Sequence, residues 1–214
     1  MKEIRLVQTL PKVFIDEKIP ASEIWRSEIT FQKGESYLIE AASGGGKSSM
    51  CAYIFGSRTD YQGHIYFDGN DVANLRIDDW LSLRRTSLAY LPQELSLFPE
   101  LSAWENLQLK NRLTNYASDA MLSSWMDRLG ISSRKDFPVG RMSIGQQQRV
   151  AIIRSICQPF DFILLDEPVS HLDNQNNDIA ARLIYEEAQR QGAGIISTSV
   201  GNHLHLDYNH RLKL

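Results

Sequence analysis

The run Ala41-Ala42-Ser43-Gly44-Gly45-Gly46-Lys47-Ser48-Ser49 combines the residue types that hold a polyphosphate. Successive glycines let backbone N–H groups turn inward around an anion, and a helix opening just after them adds the positive end of its dipole. The Lys47 ammonium suits the β- and γ-phosphates of ATP, and the Ser48 hydroxyl suits a Mg²⁺ ion bound to them. Ala41, Ser43, Gly44, Gly45, Gly46, Lys47, Ser48 and Ser49 are therefore the candidate nucleotide-phosphate-binding residues. Far downstream, the apolar run Phe162-Ile163-Leu164-Leu165 ends in Asp166-Glu167. A buried strand of that kind carries both carboxylates to its C-terminal end, where open α/β sheets place their ligands. Asp166 suits the metal; Glu167 suits a general base acting on an attacking water. Between these two segments, Ser143 stands as an N-cap ahead of Ile144-Gly145-Gln146 and a helical continuation.

Such groups need strands and helices to place them. Strands are expected near 4–7, 24–31, Ser36–Glu40, 64–68, 87–91, Phe162–Asp166 and 194–198. Helices are expected over 49–55, 104–113, 118–129 and Asn174–Gln191. The short apolar runs late in the chain suit buried parallel strands. From about 101 to 143 no strand pattern is visible, which predicts a helical insertion in an α/β core. Asp68-Gly69-Asn70-Asp71 reads as a hairpin turn and lacks the remaining ligands of a calcium loop. Trp80, Trp104 and Trp125 are expected to pack.

The 214 residues, 43% hydrophobic and 23% charged, suffice for a proper core. A net charge of −3 argues against a dedicated nucleic-acid binder. The two cysteines, Cys51 and Cys157, are too few for a disulfide framework or a zinc site, and are expected to be reduced and packed on helices. No run approaches the roughly 20 apolar residues of a membrane span, and residues 1–6 do not resemble a signal peptide. The expectation is a cytoplasmic chain whose membrane role comes through a partner.

The order phosphate loop, Ser143-Ile144-Gly145-Gln146-Gln147-Gln148-Arg149, then Asp166-Glu167 resembles the nucleotide-binding subunit of ATP-binding cassette (ABC) transporters over nearly the whole chain. The segment 94–106 is similar to that of lipoprotein-release and macrolide-exporter ATPases. The resemblance implies an α/β P-loop NTPase fold: a single domain over 1–214, with a RecA-like core (1–94 and 159–214), an antiparallel β portion and a helical subdomain at about 95–158. It also implies that Ser143, Ile144, Gly145 and Gln146 form a signature acting on ATP held by a second subunit. Gln93 would contact Mg²⁺ and sense the γ-phosphate, Asp173 would lie on a loop crossing to that subunit, and Phe14 would stack on adenine, unless it is a core residue of an early strand. The implied partners are a transmembrane permease and a like or unlike ABC subunit, with no nucleic acid, at the inner face of the cell membrane.

Three positions depart from the family pattern: Ala41 and Ile144 stand where glycines are usual, and Ser199 stands in place of a switch histidine. Alanine held at positive φ costs roughly 1–2 kcal/mol. Losing a transition-state contact typically costs about 10²–10³ in rate. Slow hydrolysis, or a heterodimer whose partner completes the site, is the expected consequence. An ATP-binding switch on a membrane complex and a soluble non-transport ABC ATPase are the alternatives.

Overall fold

The computed structural model describes residues 1–17 and 21–214. The chain opens with β1 (Glu3–Pro11), which lies between β2 (Glu28–Gln32) and β4 (Tyr61–Phe67) in an antiparallel sheet edged by β5 (Asn70–Asp71). On β1, Ile4 and Leu6 are buried while Arg5 and Val7 are not, the alternation of a one-sided strand. Asp68 (φ 48°) and Gly69 (φ 81°) both turn left-handed to join β4 to β5, as a tight hairpin requires.

The second sheet runs β6 (Leu88–Leu91), β7 (Phe162–Asp166), β8 (Gly194–Ser199), β3 (Ser36–Glu40), β9 (His210–Lys213), with every pairing parallel. All of β7 is buried, so its two faces serve two cores. Phe162 and Leu164 face α1 (Lys47–Ile54) and the antiparallel sheet; Ile163 and Leu165 face α5 (Ile144–Ser155) and α6 (Asn174–Gln191). Between β6 and β7 the described chain carries α3 (Ala103–Asn111), α4 (Asp119–Arg128) and α5, and its β pairing there is one isolated bridge, Ser102 to Pro138. Ser102, Ser118, Ser143 and Asp173 cap α3, α4, α5 and α6 with their side-chain oxygens.

Several expectations need correction. The strand expected at 24–31 begins at Glu28; Arg26 (φ 57°) turns the chain, and Trp25 is buried beneath the phosphate loop rather than in a ladder. Helix α2 (Ile77–Thr86) was not anticipated, although Ile77, Trp80 and Leu81 recur at helical spacing; none of its residues is fully buried, and Trp80 and Leu83 pack only partly against the core. It is anchored by Arg84, whose guanidinium donates to the Phe55 and Gly56 carbonyls at 3.0 and 2.7 Å. Strand β9 was also missed, being a polar edge strand whose residues are mostly exposed. Cys51 lies in α1 as expected, but Cys157 falls just beyond α5, its buried thiol donating to the Ile153 carbonyl at 3.0 Å. Among the described residues no helix is long and apolar enough to cross a membrane.

Candidate functional site

The loop between β3 and α1 bends through Gly44 (φ 82°) and Gly46 (φ 94°), conformations that a side chain resists, and Gly46 is the N-cap of α1. Ala41 does not adopt positive φ, so its methyl group carries no backbone strain. A Cβ on Gly46 would lie 3.1 Å from both Phe14 and Trp25, and the Trp25 indole N–H donates to the Gly45 carbonyl at 3.0 Å. The loop is thus braced from below by two aromatic rings. Phe14 sits in a short 3-10 turn after β1 and lines the cleft beside the loop, not the middle of a strand.

Lys47 is 5% exposed, and its ammonium donates to the Ala41 and Ala42 carbonyls at 3.1 Å each. Glu167 Oε1 lies 3.6 Å from the same Nζ. Motifs far apart in sequence therefore share one cleft of 590 Å³, lined by Phe14, Lys47, Ser48, Ser49, Gln93 and Glu167 among others. Ser49 faces it with its hydroxyl accepting from the Arg58 guanidinium at 3.0 Å.

The β7–β8 register sets Asp166 opposite Thr198. Thr198 Oγ1 donates to Asp166 Oδ1 at 2.8 Å and accepts from the Glu167 N–H at 3.2 Å, so one hydroxyl fixes both acids. Glu167 itself holds φ 51°, a conformation that costs a non-glycine residue about 1–3 kcal/mol. Such strain persists where the surroundings impose it, and Gln148 on α5 contributes by donating to the Pro168 carbonyl at 2.6 Å. Burial, followed by the negative charge of Asp166, pushes the Cys51 thiol well up, so it stays neutral behind the site.

Among the described residues no group of three His, Cys, Asp or Glu side chains gathers to hold an ion alone. Ser48 and Gln93 line the cleft with hydroxyl and amide oxygens, and the Asp166 carboxylate lies buried behind it at the end of β7, within reach through a water; these are the hard donors that Mg²⁺ takes alongside phosphate oxygens. The donor set fits that ion.

The signature segment is built from α5 outward. Ser143 Oγ accepts from the Gln146 N–H at 3.3 Å while the Gln146 side chain accepts from the Ser143 N–H at 3.0 Å, a complete capping box. Ile144 projects 49% exposed. Gly145 has a packing reason: a Cβ there would meet the His171 carbonyl at 2.8 Å. Gln148 also accepts from the His171 N–H at 2.9 Å, tying α5 to the segment that follows Glu167. Asp173 caps α6, and its acceptance of the Asn176 N–H holds its carboxyl below the usual range. None of Ser143, Ile144, Gly145 and Gln146 lines the clefts around Lys47, nor does Asp173.

Ser199 is 1% exposed, and its hydroxyl is spent locally, donating to the Asn202 carbonyl and accepting from the Gly201 N–H, both at 2.9 Å. His205 is exposed and bonds Asp178 at 2.6 Å, and His203 is half-buried against Tyr208; neither lines the phosphate cleft. Sequence reading missed Trp25, Thr198 and Gln148. Thr198 had a signal, a hydroxyl in an apolar strand; Trp25 and Gln148 had none, because their partners are distant backbone carbonyls.

A parallel sheet that ends in a glycine loop, a buried lysine and paired acids defines a P-loop nucleotide-binding cassette. Residues 26–170 match the ABC transporter family, and the chain belongs to that family. It is 31% identical over 172 residues to the macrolide export ATP-binding/permease protein MacB of Rhodopseudomonas palustris, covering 79% of this chain and 26% of that one. To the lipoprotein-releasing system ATP-binding protein LolD of Coxiella burnetii it is 29% identical over 180 residues, covering 82% of this chain and 77% of that one. To the cytochrome c biogenesis ATP-binding export protein CcmA of Haemophilus influenzae it is 30% identical over 169 residues, covering 78% and 77%. The chain thus spans about a quarter of the length of its macrolide-export relatives. Its fold superposes on the dimeric bacterial ABC transporter cassette MJ0796 with a TM-score of 0.76 at 24% identity, covering 92% of this chain and 87% of that one.

Proposed function

We propose that the chain is the ATP-binding and ATP-hydrolysing subunit of an ABC transporter. In this reading it energises a separate transmembrane permease through ATP-driven closure of a dimer, as a peripheral protein on the inner face of the cell membrane. The observation that carries it is the approach of Lys47 and Glu167 to 3.6 Å in the phosphate-loop cleft, a phosphate anchor beside a general base. Backbone N–H groups of 43–48 hold the β- and γ-phosphates, and Lys47 exchanges the Ala41 and Ala42 carbonyls for phosphate oxygens. Phe14 offers its ring to adenine. Glu167 accepts a proton from the water that attacks the γ-phosphorus, and the bond to the ADP oxygen breaks. Mg²⁺, held by Ser48, Gln93 and Asp166, would neutralise charge on the phosphates.

The signature lies outside its own chain's cleft, which supports its use on ATP bound by another subunit, like or unlike. Asp173 sits at the α6 cap beside it, placed to cross to that subunit. Closure is then a rigid-body switch that both γ-phosphates stabilise. ATP turnover by the purified chain tests the reading. Glu167→Gln is expected to lower kcat by about 10²–10⁴ while ATP still binds; equal turnover in the two proteins would sink it.

A slow, switch-like ATPase is favoured by the local engagement of the Ser199 hydroxyl. On that reading Ser199→Ala leaves kcat within about two-fold. A fall of about 10²–10³ would instead place the serine in the transition state.

A further inference from the structure

The peptide joining Gly45 to Gly46 is the least constrained link of the phosphate loop, because neither residue carries a Cβ that would favour one orientation of it. In a trans peptide the C=O and N–H groups point opposite ways, and no peptide among the described residues is cis. Turning this one over would replace a donor facing the phosphates with a carbonyl that repels them. Trp25 selects between the two orientations from outside the loop. Its indole N–H donates to the Gly45 carbonyl at 3.0 Å, and its ring lies 3.1 Å from where a Gly46 Cβ would stand. Gly45 and Trp25 line a cavity of 730 Å³ beneath the loop and not the phosphate cleft, whereas Gly46 lines the phosphate cleft and not that cavity. With the carbonyl drawn toward Trp25, the Gly46 N–H turns to the phosphate side, and among the described residues no backbone carbonyl takes it.

Trp25 can impose an orientation because it is itself fixed. It is 4% exposed, and its backbone N–H donates to Ser22 Oγ at 2.8 Å, beside that of Ile24 at 3.1 Å. The next residue, Arg26, is left-handed at φ 57° and donates its N–H to the Thr9 carbonyl at 3.1 Å. A buried indole N–H needs an acceptor wherever it sits. Here the acceptor belongs to a peptide whose other face is turned to the nucleotide cleft. We infer that Trp25 is a positioning residue: its indole N–H holds the Gly45–Gly46 peptide so that the Gly46 N–H is presented to the β-phosphate of a bound nucleotide. The inference rests on the nucleotide reading of the cleft given above, and adds the residue that sets the loop's preference for a second phosphate.

The Kd values of ADP, AMP and inorganic tripolyphosphate are measured with Mg²⁺ by displacing a fluorescent ATP analogue, whose own Kd is determined for each protein. Three proteins are compared: wild type, Trp25→Phe, and the chain with benzothienylalanine in place of Trp25, which keeps the two-ring shape and lacks the N–H. Losing one hydrogen bond predicts roughly 2–10-fold weaker ADP and tripolyphosphate in both altered proteins, with AMP within about 1.5-fold of wild type. A loss shared equally by all three ligands would mean a damaged site, not a turned peptide, and overturns the inference. So does ADP binding unchanged by the benzothienyl replacement, whatever Trp25→Phe does. That replacement opens no cavity, so it decides the matter should Trp25→Phe fold poorly. Wild type that binds neither ADP nor tripolyphosphate counts against the nucleotide reading and takes the inference with it. Wild type that binds both, beside altered proteins that bind them equally well, counts against Trp25 alone.

Discussion

Thr198 shows how much of the candidate site rests on one hydroxyl. It is fully buried, gives its proton to the Asp166 carboxylate and receives the Glu167 N–H. Thr198→Val keeps the shape and strands both partners, one of them charged. Unpaired buried groups cost about 1–3 kcal/mol each, so a loss of roughly 2–4 kcal/mol in urea unfolding is expected. If the carboxylates act as proposed, kcat falls by more than the change in ATP affinity, because Glu167 loses the bond that holds its left-handed backbone. An unfolding midpoint unchanged from wild type would show that water replaces the hydroxyl. Ala41 makes the opposite point: the sequence suggested a strained alanine, yet its φ is ordinary and no strain arises.

At the scale of elements, the contact that stands out joins α5 to the segment after β7. Gly145 lets α5 approach the His171 carbonyl, and Gln148 spans the same gap with bonds to Pro168 and His171. The signature helix and the Glu167 turn are therefore joined directly by these contacts. Gly145→Ala puts a methyl group 2.8 Å from a backbone oxygen, which cannot swing aside as a side chain would. Overpacking of this kind costs about 1–3 kcal/mol, to be read as a lower Tm. Alanine normally favours a helix interior over glycine, so a raised Tm would show that α5 shifts freely and the coupling is loose.

At the scale of the whole molecule, the signature and the phosphate loop of one chain do not meet, and a second cassette is what the proposed mechanism adds. Glu167→Gln protein with Mg²⁺ and ATP is expected to run as a dimer in light scattering, and without nucleotide as a monomer. A monomer under both conditions would leave the signature without its proposed partner. The exposed Ile144 lies on the face proposed to meet that second cassette, where the family pattern has glycine.

The sequence by itself determined the chemistry and most of the scaffold. A glycine loop is legible because few residues tolerate its backbone angles, a buried strand because it must be apolar on both faces, and a helix start because its cap is local. These signals lie within a few residues of one another, and they marked Lys47, Ser143, Asp166 and the strands β3 and β7. Strand β9 escaped because it is a polar edge strand with no apolar period, whereas α2 carries an apolar stripe that went unread and that only half-buries, through Trp80 and Leu83. Only the tertiary structure decided which distant groups share a space. Register placed Thr198 between the acids, a buried Trp25 took a loop carbonyl, and the Ser199 hydroxyl turned to its own loop. Each of those outcomes is a hydrogen bond to a backbone atom or to a residue far along the chain. Spacing carries no record of the Thr198 and Trp25 bonds, because packing brings their partners from far along the chain, and the Ser199 bonds, though local, depend on how its loop turns.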